Sequence, residues 1–325
     1  MTTVEIIGGG PAGAAAAIAA RREGRAVRLF EKSTFPRHKV CGEFVSPEAA
    51  PILDELGVLR VFEQCRPARL SSVSLHFGSR ERRWPLAEPA YGISRYAFDH
   101  LLLNRAIEAG AELLQESRHL PAAAGERVVV AHGRRISAPR GSRNFGFKTH
   151  FRGPVNDSIE LFFFSGCYVG VSAVEHGITN VCGIAPEHLL AERAFGIDRL
   201  IEICPSLGAR LGPLRRAMDW LITGPLAFGA SFEANDTTYL AGDALGFIDP
   251  FTGSGIAAAL RTGSFAGSCA ARNASVRDYV QMARHSLGRQ YRLSPVLRAV
   301  IRSGLAEKLA RWIPGPLLFR LTRMK

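Results

Sequence analysis

The sequence predicts an α/β fold with three parts: a parallel sheet built from βαβ units, an interposed antiparallel β-sheet, and a helical C-terminal segment. Three observations predict it. The first thirty residues contain a strand, a helix and a second strand around a glycine-rich turn, and a second strand-to-helix junction lies near residue 243. Between these segments, several stretches alternate between apolar and polar residues, as strands of an open sheet do. A chain of 325 residues is long enough for one large domain or two intertwined ones.

The first element is a complete βαβ unit. The sequence predicts a buried strand at 4–7, a helix at 12–22 and a second strand at 26–30. Gly8, Gly10 and Gly13 have the G-x-G-x-x-G spacing that lets a backbone turn tightly, approach a pyrophosphate and pack a helix on a strand. The helix N-terminus offers free N–H groups to phosphates, and Glu31 can accept the hydroxyls of an adenosine ribose. The unit predicts a site for FAD or NAD rather than NADP; a glycine-rich turn in another α/β fold is the alternative.

The second strand-to-helix junction, YLAGDALGFIDPFTGSGIAAAL, predicts where the other end of a dinucleotide is held. Asp243 follows the strand at a place where a carboxylate can accept the hydroxyls of a flavin's ribityl chain. Pro250 fixes the backbone, and Gly253 and Gly255 allow a close approach. The helix that begins at Ile256 points its positive N-terminal end toward the flavin and stabilises negative charge there.

These motifs resemble a flavoprotein group. GGGPAG and GDALGFIDPFTGSGI look like the group that includes p-hydroxybenzoate hydroxylase-type monooxygenases, geranylgeranyl reductases and flavin-dependent halogenases. EKSTFPRHKVCGEFVSP resembles the reductase and halogenase pattern of a proline and basic residues before Cys-Gly. ISRYAFDHLLLNRAIEAGAEL resembles the family's Arg-x-x-Phe-Asp-x-x-Leu helix. The resemblance covers most of residues 1–280, is closest to a CbrA-like branch, and implies a Rossmann-like FAD-binding domain of the glutathione reductase type.

The resemblance also implies an FAD site by position. It places Arg37 and Arg95 near the pyrophosphate or ribityl chain, and Cys41 with Gly42 against one face of the flavin. The expected cofactor-binding residues are Gly8, Gly10, Pro11, Ala12, Gly13, Glu31, Lys32, Arg37, Cys41, Gly42, Arg95, Gly242, Asp243, Pro250, Gly253, Ser254, Gly255 and Ile256. The alternative role of Arg95 is that of a surface helix cap. The alternative role of Cys41 is that of a small, buried apolar residue. No catalytic residue is assigned, and Asp249 is expected to be a helix cap or turn residue.

Two features depart from the family pattern. The predicted strand at 127–130 is followed by His132-Gly133, where the family has an Asp-Gly tied to FAD and nicotinamide handling. The stretch between the Arg95 helix and this strand is too short for the three-stranded meander that covers part of the adenine site in the family. These departures motivate an alternative function: a degenerate, non-catalytic flavoprotein fold that binds a ligand or a membrane surface.

Alternating stretches predict one antiparallel sheet beside the flavin, which in the resembling family roofs the substrate pocket. They lie at 71–86, 148–154, 159–185 and 220–232. The expected division is an FAD-binding domain of residues 1–70, 91–140 and 233–280, a substrate-binding sheet domain of residues 71–90 and 141–232, and a basic helical segment at 281–325.

Two groups of side chains on this sheet are of interest. The aromatic candidates for pocket lining or for a buried sheet face are Phe162, Phe163, Phe164 and Tyr168. Glu175 and His176 are neighbours on a predicted strand, so they point to opposite faces and do not form a dyad.

Composition limits the partners and the location. The net charge is +12, but the cations are spread along the chain and no helix-turn-helix, zinc-finger or RNP signature occurs, so no nucleic-acid partner is expected. Six cysteines without CxxC or metal-ligand spacing predict free thiols in a reducing cytosol and no metal site. The chain enters a strand at once and has no run of 18 apolar residues, so we expect a cytoplasmic protein.

The C-terminal segment mixes cations with apolar residues. From Tyr291 to Lys325 the sequence has arginines and lysines against the single acid Glu307. This pattern predicts either a helix packed on the FAD domain with a solvated basic face or peripheral contact with an anionic membrane.

The resemblance and the site residues together imply an FAD-dependent oxidoreductase that acts on an apolar small molecule such as a polyketide, an isoprenoid or a lipid. NADH or NADPH is expected as a transient electron donor. The chemistry is either hydroxylation through a flavin hydroperoxide or hydride transfer to a carbon–carbon double bond. Monooxygenase-like oxidation is favoured, because the sequence shows no sign of a reductase partner. No Trp-x-Trp-x-Ile-Pro motif of tryptophan-type halogenases occurs.

Overall fold

The computed structural model describes residues 3–117, 127–134, 143–230, 232 and 238–303. Its first layer is a parallel sheet, which we call the floor sheet. The strands are β1 (Val4–Ile7), β2 (Val27–Glu31), β6 (Glu112–Gln115), β7 (Arg127–Val130) and β15 (Thr238–Leu240), in the spatial order β15-β7-β1-β2-β6. β1 pairs with β2 and β7 in parallel register, so the predicted βαβ unit occupies the centre of this sheet.

Alanine and glycine let two helices pack in backbone contact beside the floor sheet. α1 (Pro11–Arg22) lies against α8 (Gly255–Ala271). A Cβ atom at Gly263 would lie 2.1 Å from the Ala12 carbonyl oxygen, and one at Gly267 would lie 2.1 Å from that of Ala16. Larger side chains would separate the two helices, so these small residues bring together the N-termini of α1 and α8. Three further helices cover this region: α2 (Ala49–Glu55), α3 (Leu59–Gln64) and α4 (Arg95–Glu108).

The second sheet, which we call the roof sheet, is mixed rather than purely antiparallel. Its strands are β3 (Phe44–Val45), β4 (Ala68–Phe77), β5 (Arg80–Gly92), β8 (Asn144–Arg152), β9 (Ser158–Phe164), β10 (Cys167–Val174), β11 (Ile178–Pro186), β12 (Arg215–Arg216) and β13 (Leu221–Thr223). Their order is β12-β8-β11-β10-β9-β4-β5-β3, with β13 also paired to β8. β4 and β9 are parallel, so the prediction was wrong at this pair. The chain between them returns through the floor sheet, and a connection of that length permits parallel pairing.

The roof sheet also differs from its predicted extent. β4 begins at Ala68 and β5 ends at Gly92, outside the expected 71–90. Within 220–232 only β13 joins the roof sheet, whereas β14 (Gly229–Ala230) pairs with β16 (Gly246–Phe247) as a separate ribbon. The ribbon forms because the second strand-to-helix junction folds back beside this segment.

Short helices and one long helix complete the structure. The first group is α5 (Glu187–Ala191), α6 (Ile197–Ile201) and α7 (Pro205–Leu211), and their leucines and isoleucines form a core with one face of the roof sheet. The long helix α9 (Val276–Arg302) begins at Ser275, whose side chain accepts the Asp278 N–H. In the part of the chain that the structure describes, no helix is both long and apolar enough to cross a bilayer. Residues 304–325 of the expected basic segment lie outside the described residues.

Candidate functional site

One cavity of about 670 Å³ lies between the carboxyl ends of the floor strands and the free face of the roof sheet. It is lined by every predicted cofactor-binding residue except Gly13 and Ser254. Gly13 instead packs α1 on β1, and the Ser254 hydroxyl is buried 2.9 Å from that of Thr252. Two glycine-rich segments that are far apart in the sequence therefore meet at one site.

The first turn forms a cradle in which each glycine meets a different constraint. Gly8 has a φ of +104°, which favours glycine. A Cβ atom at Gly13 would lie 1.7 Å from the Gly8 carbonyl oxygen, so only glycine fits there. A Cβ atom at Gly10 would meet nothing nearer than Arg95 Nη2 at 3.9 Å, so this side of the cradle is open to the cavity. Gly10 directly precedes α1, whose first N–H groups face the same space.

Glu31 closes the cradle at the end of β2. The Gly9 N–H donates to Glu31 Oε2 and the Ser33 N–H donates to Oε1, both at 2.8 Å. The side chain is buried, yet the residue lines the cavity. Two backbone donors thus hold a carboxylate at the position expected for a ribose partner.

Four cations surround the middle of the cavity: Arg37, Lys39, Arg95 and Arg134. Arg95 begins α4 and its Nη2 lies 2.7 Å from Asp99 Oδ2, whereas Ser94 provides the helix cap, so Arg95 is not a surface cap. Desolvation by burial lowers the pKa of Arg37, and its Nε and Nη1 atoms have no hydrogen-bond partner among the described residues.

Lys39 is exposed to the open cavity but is otherwise surrounded by protein. Burial, with the charges of Arg37 and Arg95, lowers its pKa to about 8. An anion placed among these cations would relieve their mutual repulsion.

Asp243 faces the same cations from the second junction. Burial raises the pKa of its carboxyl group, opposed by the charges of Arg134 and Arg95. Its oxygens have no hydrogen-bond partner within the described ranges. The preceding Gly242 has a φ of +60° and donates its N–H to Thr262 Oγ1 at 2.9 Å, which fixes the turn.

Asp249 has the capping role predicted for it. Its side chain accepts the Phe251 N–H at 3.1 Å at the start of the turn Pro250–Thr252. It also accepts the Tyr168 hydroxyl at 3.1 Å and lies 2.9 Å from Arg298 Nε. This buried carboxylate therefore ties α9, the roof sheet and the second junction together.

A buried ionic network that the sequence interpretation missed joins β8 of the roof sheet to the loop after β2 and to the start of α4, beside Cys41. Glu43, fully buried with a φ of +54°, accepts Lys148 Nζ and lies 2.6 Å from His150 Nε2. It also accepts the Arg95 N–H at 2.6 Å, and its own N–H donates to Cys41 Sγ at 3.4 Å. Burial would raise the pKa of Glu43, but the hydrogen bond from His150 and the charge of Lys148 lower it.

The same network contains the geometry of a metal site, which the sequence did not predict. Ligand atoms of His38, Glu43 and His150 lie within 4.8 Å of one another. Lys148 already neutralises the carboxylate, which disfavours an added cation. The available sequence signal was the alternation of Lys148 and His150 on β8, which puts both on one face of the strand.

Beyond the cations, the cavity continues as an apolar arm under the roof sheet. Its side chains come from neighbouring strands that the register aligns, and include Val73, Leu75, Ile159, Leu161, Tyr168 and Ile184. Of the four aromatic candidates only Tyr168 lines the cavity. Phe162 and Phe164 lie on the face covered by α5, α6 and α7, and Phe163 packs beside Tyr168.

Two further predictions meet the structure here. His132 and Gly133 line the cavity after β7, and the following Arg134 donates to Thr223 Oγ1 at 3.0 Å.

Glu175 and His176 lie in a turn between β10 and β11 rather than on a strand, because His176 adopts a φ of +59°. Glu175 is buried and accepts the Ser94 N–H, so the pair is not a dyad. The predicted absence of a meander falls largely on residues 118–126, which lie outside the described residues.

Known proteins share this arrangement. Residues 3–36 match the profile of a family described as FAD dependent oxidoreductase. The menaquinone reductase of Mycobacterium tuberculosis is 36% identical over 114 residues, which cover 34% of this chain and 28% of that protein. The tryptophan 2-halogenase of Chondromyces crocatus is 32% identical over 120 residues, which cover 35% of this chain and 22% of that protein. These matches span about a quarter of each relative's length.

A solved structure matches the whole architecture. The geranylgeranyl bacteriochlorophyll reductase-like protein of Thermoplasma acidophilum superposes with a TM-score of 0.78 at 20% identity, over 99% of this chain and 96% of that one. Residues 3–36 thus resemble FAD dependent oxidoreductases, and the whole chain shares the fold of this reductase-like protein.

The cavity fits an extended, anionic dinucleotide. The Arg37 guanidinium forms ion pairs at 3.7 Å with Asp99 and with Glu31. Among the described residues, however, the cavity side of Gly10 is open, Arg37 Nε has no hydrogen-bond partner, and the Asp243 carboxylate accepts no hydrogen bond. A diphosphate and hydroxyl groups are complementary to them.

Proposed function

We propose that the protein is an FAD-dependent oxidoreductase that reduces an apolar, isoprenoid-like or polyketide-like molecule and takes electrons transiently from NADH or NADPH. One observation carries the proposal: a single cavity joins a polar glycine cradle to an arm lined by apolar side chains of the roof sheet. A cofactor and an apolar substrate would meet where the two parts join, beside Cys41 and Gly42.

In this proposal the chain's residues bind and orient the cofactor. Gly8, Gly10 and the first turn of α1 hold the pyrophosphate with Arg37, and Glu31 accepts the adenosine ribose hydroxyls. Asp243 accepts the ribityl hydroxyls. When bound, FAD supplies the two-electron redox chemistry.

The second junction and the roof sheet would surround the flavin end of the cofactor, where the reaction takes place. The N-terminus of α8 at Gly255 would present the N–H groups of its first turn, which stabilise negative charge. The apolar arm excludes water from this end, and Tyr168 is held there by its hydrogen bond to Asp249. The Glu43 network orients Cys41 and Gly42 without facing solvent.

We prefer reduction to the oxygenation that the sequence favours. The sequence match is to a menaquinone reductase and the fold is that of a geranylgeranyl reductase-like protein, and both names refer to the reduction of an apolar molecule. The test starts from the visible spectrum of the protein incubated with FAD, before and after anaerobic addition of NADH or NADPH. A flavin spectrum that bleaches supports an NAD(P)H-driven oxidoreductase.

The reaction type is then separated by the acceptor. Reoxidation of the bleached protein by a short-chain menaquinone or a polyprenyl substrate without oxygen supports reduction. Turnover that needs oxygen and yields a hydroxylated product supports a monooxygenase instead. A protein that stays colourless with excess FAD supports the non-catalytic alternative.

A further inference from the structure

Helix α9 carries a stripe of exposed cations that the proposed chemistry does not use. Its members are separated by seven, one, four and three residues, which puts them on one side of the helix. They are Arg277, Arg284, His285, Arg289 and Arg292, of which Arg289 is half-buried and the others are exposed. The last four line a shallow surface groove together with Gln281. We call this set the α9 stripe.

No carboxylate among the described residues compensates the charge of the α9 stripe. Residues 281–303 contain no aspartate or glutamate. Asp278, near the start of the helix, is engaged with Ser275, whose hydroxyl donates to it at 2.7 Å. Among the described residues, Arg284 and Arg292 bond only to backbone carbonyl oxygens, and the other two arginines have no carboxylate partner. The stripe is therefore complementary to an anionic partner.

The same side of α9 becomes apolar toward its C-terminal end. Pro295, Val296 and Ala299 are exposed there, and Val296 is 60% exposed. A helix with cations followed by exposed apolar residues on one side is suited to a lipid surface, where the cations meet headgroups and the apolar residues enter the boundary with the acyl chains.

This end of α9 also adjoins the apolar arm of the cavity. Arg298 lies against Asp249, and Ile301 packs with Tyr168, Ile184 and Leu226. Those three residues line the arm. Ile301 lies on the buried side of α9, so the helix itself, about 10 Å across, separates the arm from a surface that contacts the exposed side.

We propose that the α9 stripe docks the protein on an anionic lipid bilayer and so brings the apolar arm to a substrate dissolved in that bilayer. The proposed docking is supported by features of α9 alone, whereas the identity of the delivered molecule rests on the proposed function. The proposed partner is a lipid surface because exposed apolar residues follow the cations on the same side of α9. A nucleic acid would contact the cations only.

The test is sedimentation of the full chain, loaded with FAD, with vesicles of phosphatidylcholine alone or with about one third phosphatidylglycerol. We expect binding to the anionic vesicles that weakens with salt. The variant Arg284→Glu/Arg289→Glu/Arg292→Glu should bind at least about a hundredfold more weakly, since each cation near such a surface strengthens binding about fivefold.

A matched variant controls for net charge. Arg60→Glu/Arg199→Glu/Arg215→Glu changes three exposed arginines elsewhere by the same amount and should bind like the unchanged protein. Equal losses in the two variants, wild-type binding by the α9 variant, or equal binding to both vesicle types would overturn the proposal. So would binding of an RNA that is lost with the stripe while vesicle binding is absent. Flavin bleaching by NAD(P)H is measured on the same samples, so failure of docking and failure of the proposed function are distinguished.

Discussion

The two walls of the cavity are built on different principles. The floor presents backbone: glycines without side chains, the N-termini of α1 and α8, and the N–H groups that hold Glu31. The roof presents side chains that neighbouring strands bring together, such as Leu75 with Leu161 and Tyr168 with Ile184. A backbone wall depends on a short contiguous motif, whereas a side-chain wall depends on register between distant segments. The family profile accordingly matches residues 3–36, within the floor.

The largest expected effect comes from breaking the buried network that ties the roof strand β8 to the loop after β2 and to the start of α4. Lys148→Met leaves Glu43 buried without its cation, and removal of one partner of a buried pair costs about 3–5 kcal/mol. We expect the free energy of unfolding in urea to fall by that amount. The double variant Glu43→Gln/Lys148→Met should recover much of the loss because no buried charge remains. A loss of unfolding free energy below about 1 kcal/mol in the single variant would mean that this network contributes little to stability.

The same network predicts acid sensitivity with a definite sign. The pKa of Glu43 in the folded protein is lowered from its ordinary 4.5. Its contribution to stability is therefore complete above that value and is lost as the pH falls through the lowered pKa. Urea unfolding between pH 5 and strongly acidic pH should show this loss in the unchanged protein and a smaller one in Glu43→Gln.

The second effect concerns the packing of the glycine cradle in the floor. Gly13→Ala places a Cβ atom 1.7 Å from the Gly8 carbonyl oxygen, and such overpacking costs about 1–3 kcal/mol. We expect a lower melting temperature with or without FAD. Gly10→Ala is the matched control, because its Cβ atom meets only open cavity. It should leave the melting temperature of the FAD-free protein unchanged and weaken FAD binding. The reverse pattern would contradict the assignment of the cradle.

The third effect tests the roof alone. Gly170 lies in β10 of the roof sheet and lines the cavity, and an added Cβ atom would meet Leu161 Cδ2 at an ordinary 3.4 Å. Gly170→Leu should therefore fold, fill part of the apolar arm and lower turnover of an apolar substrate more than about tenfold, which corresponds to 1.4 kcal/mol. The flavin spectrum should be unchanged. Loss of FAD together with activity would show that the two walls do not act separately.

The smallest effect concerns the cations between the walls. The pKa of Lys39 is about 8, and an anionic diphosphate favours its protonated form. FAD binding should therefore weaken as the pH rises above about 8, by about tenfold for each unit by which binding raises this pKa. Lys39→Met should bind FAD more weakly at pH 7 and lose this pH dependence, as measured by fluorescence titration. An unchanged slope in the variant would assign the titration to another group.

Sequence reasoning was strongest where function depends on backbone. It identified the cradle at Gly8 and Gly10, the carboxylates Glu31 and Asp243, and the cap at Asp249, because these follow from local turn and helix geometry. It was weaker for the roof. The sheet proved to be mixed, and Phe162 and Phe164 proved to lie on its far face. Strand alternation reveals that two faces exist but not which face meets the cavity.

By itself, the sequence determined the α/β class and the two glycine-rich junctions, because each of these lies within a short segment of chain. Tertiary structure alone decided that Glu43, Lys148 and His150 meet in one buried network, that Arg134 and Lys39 share a cavity with Asp243, and that the end of α9 lies beside the apolar arm. These contacts join residues that are distant along the chain. They arise from strand register and helix packing, which no local pattern of residues records.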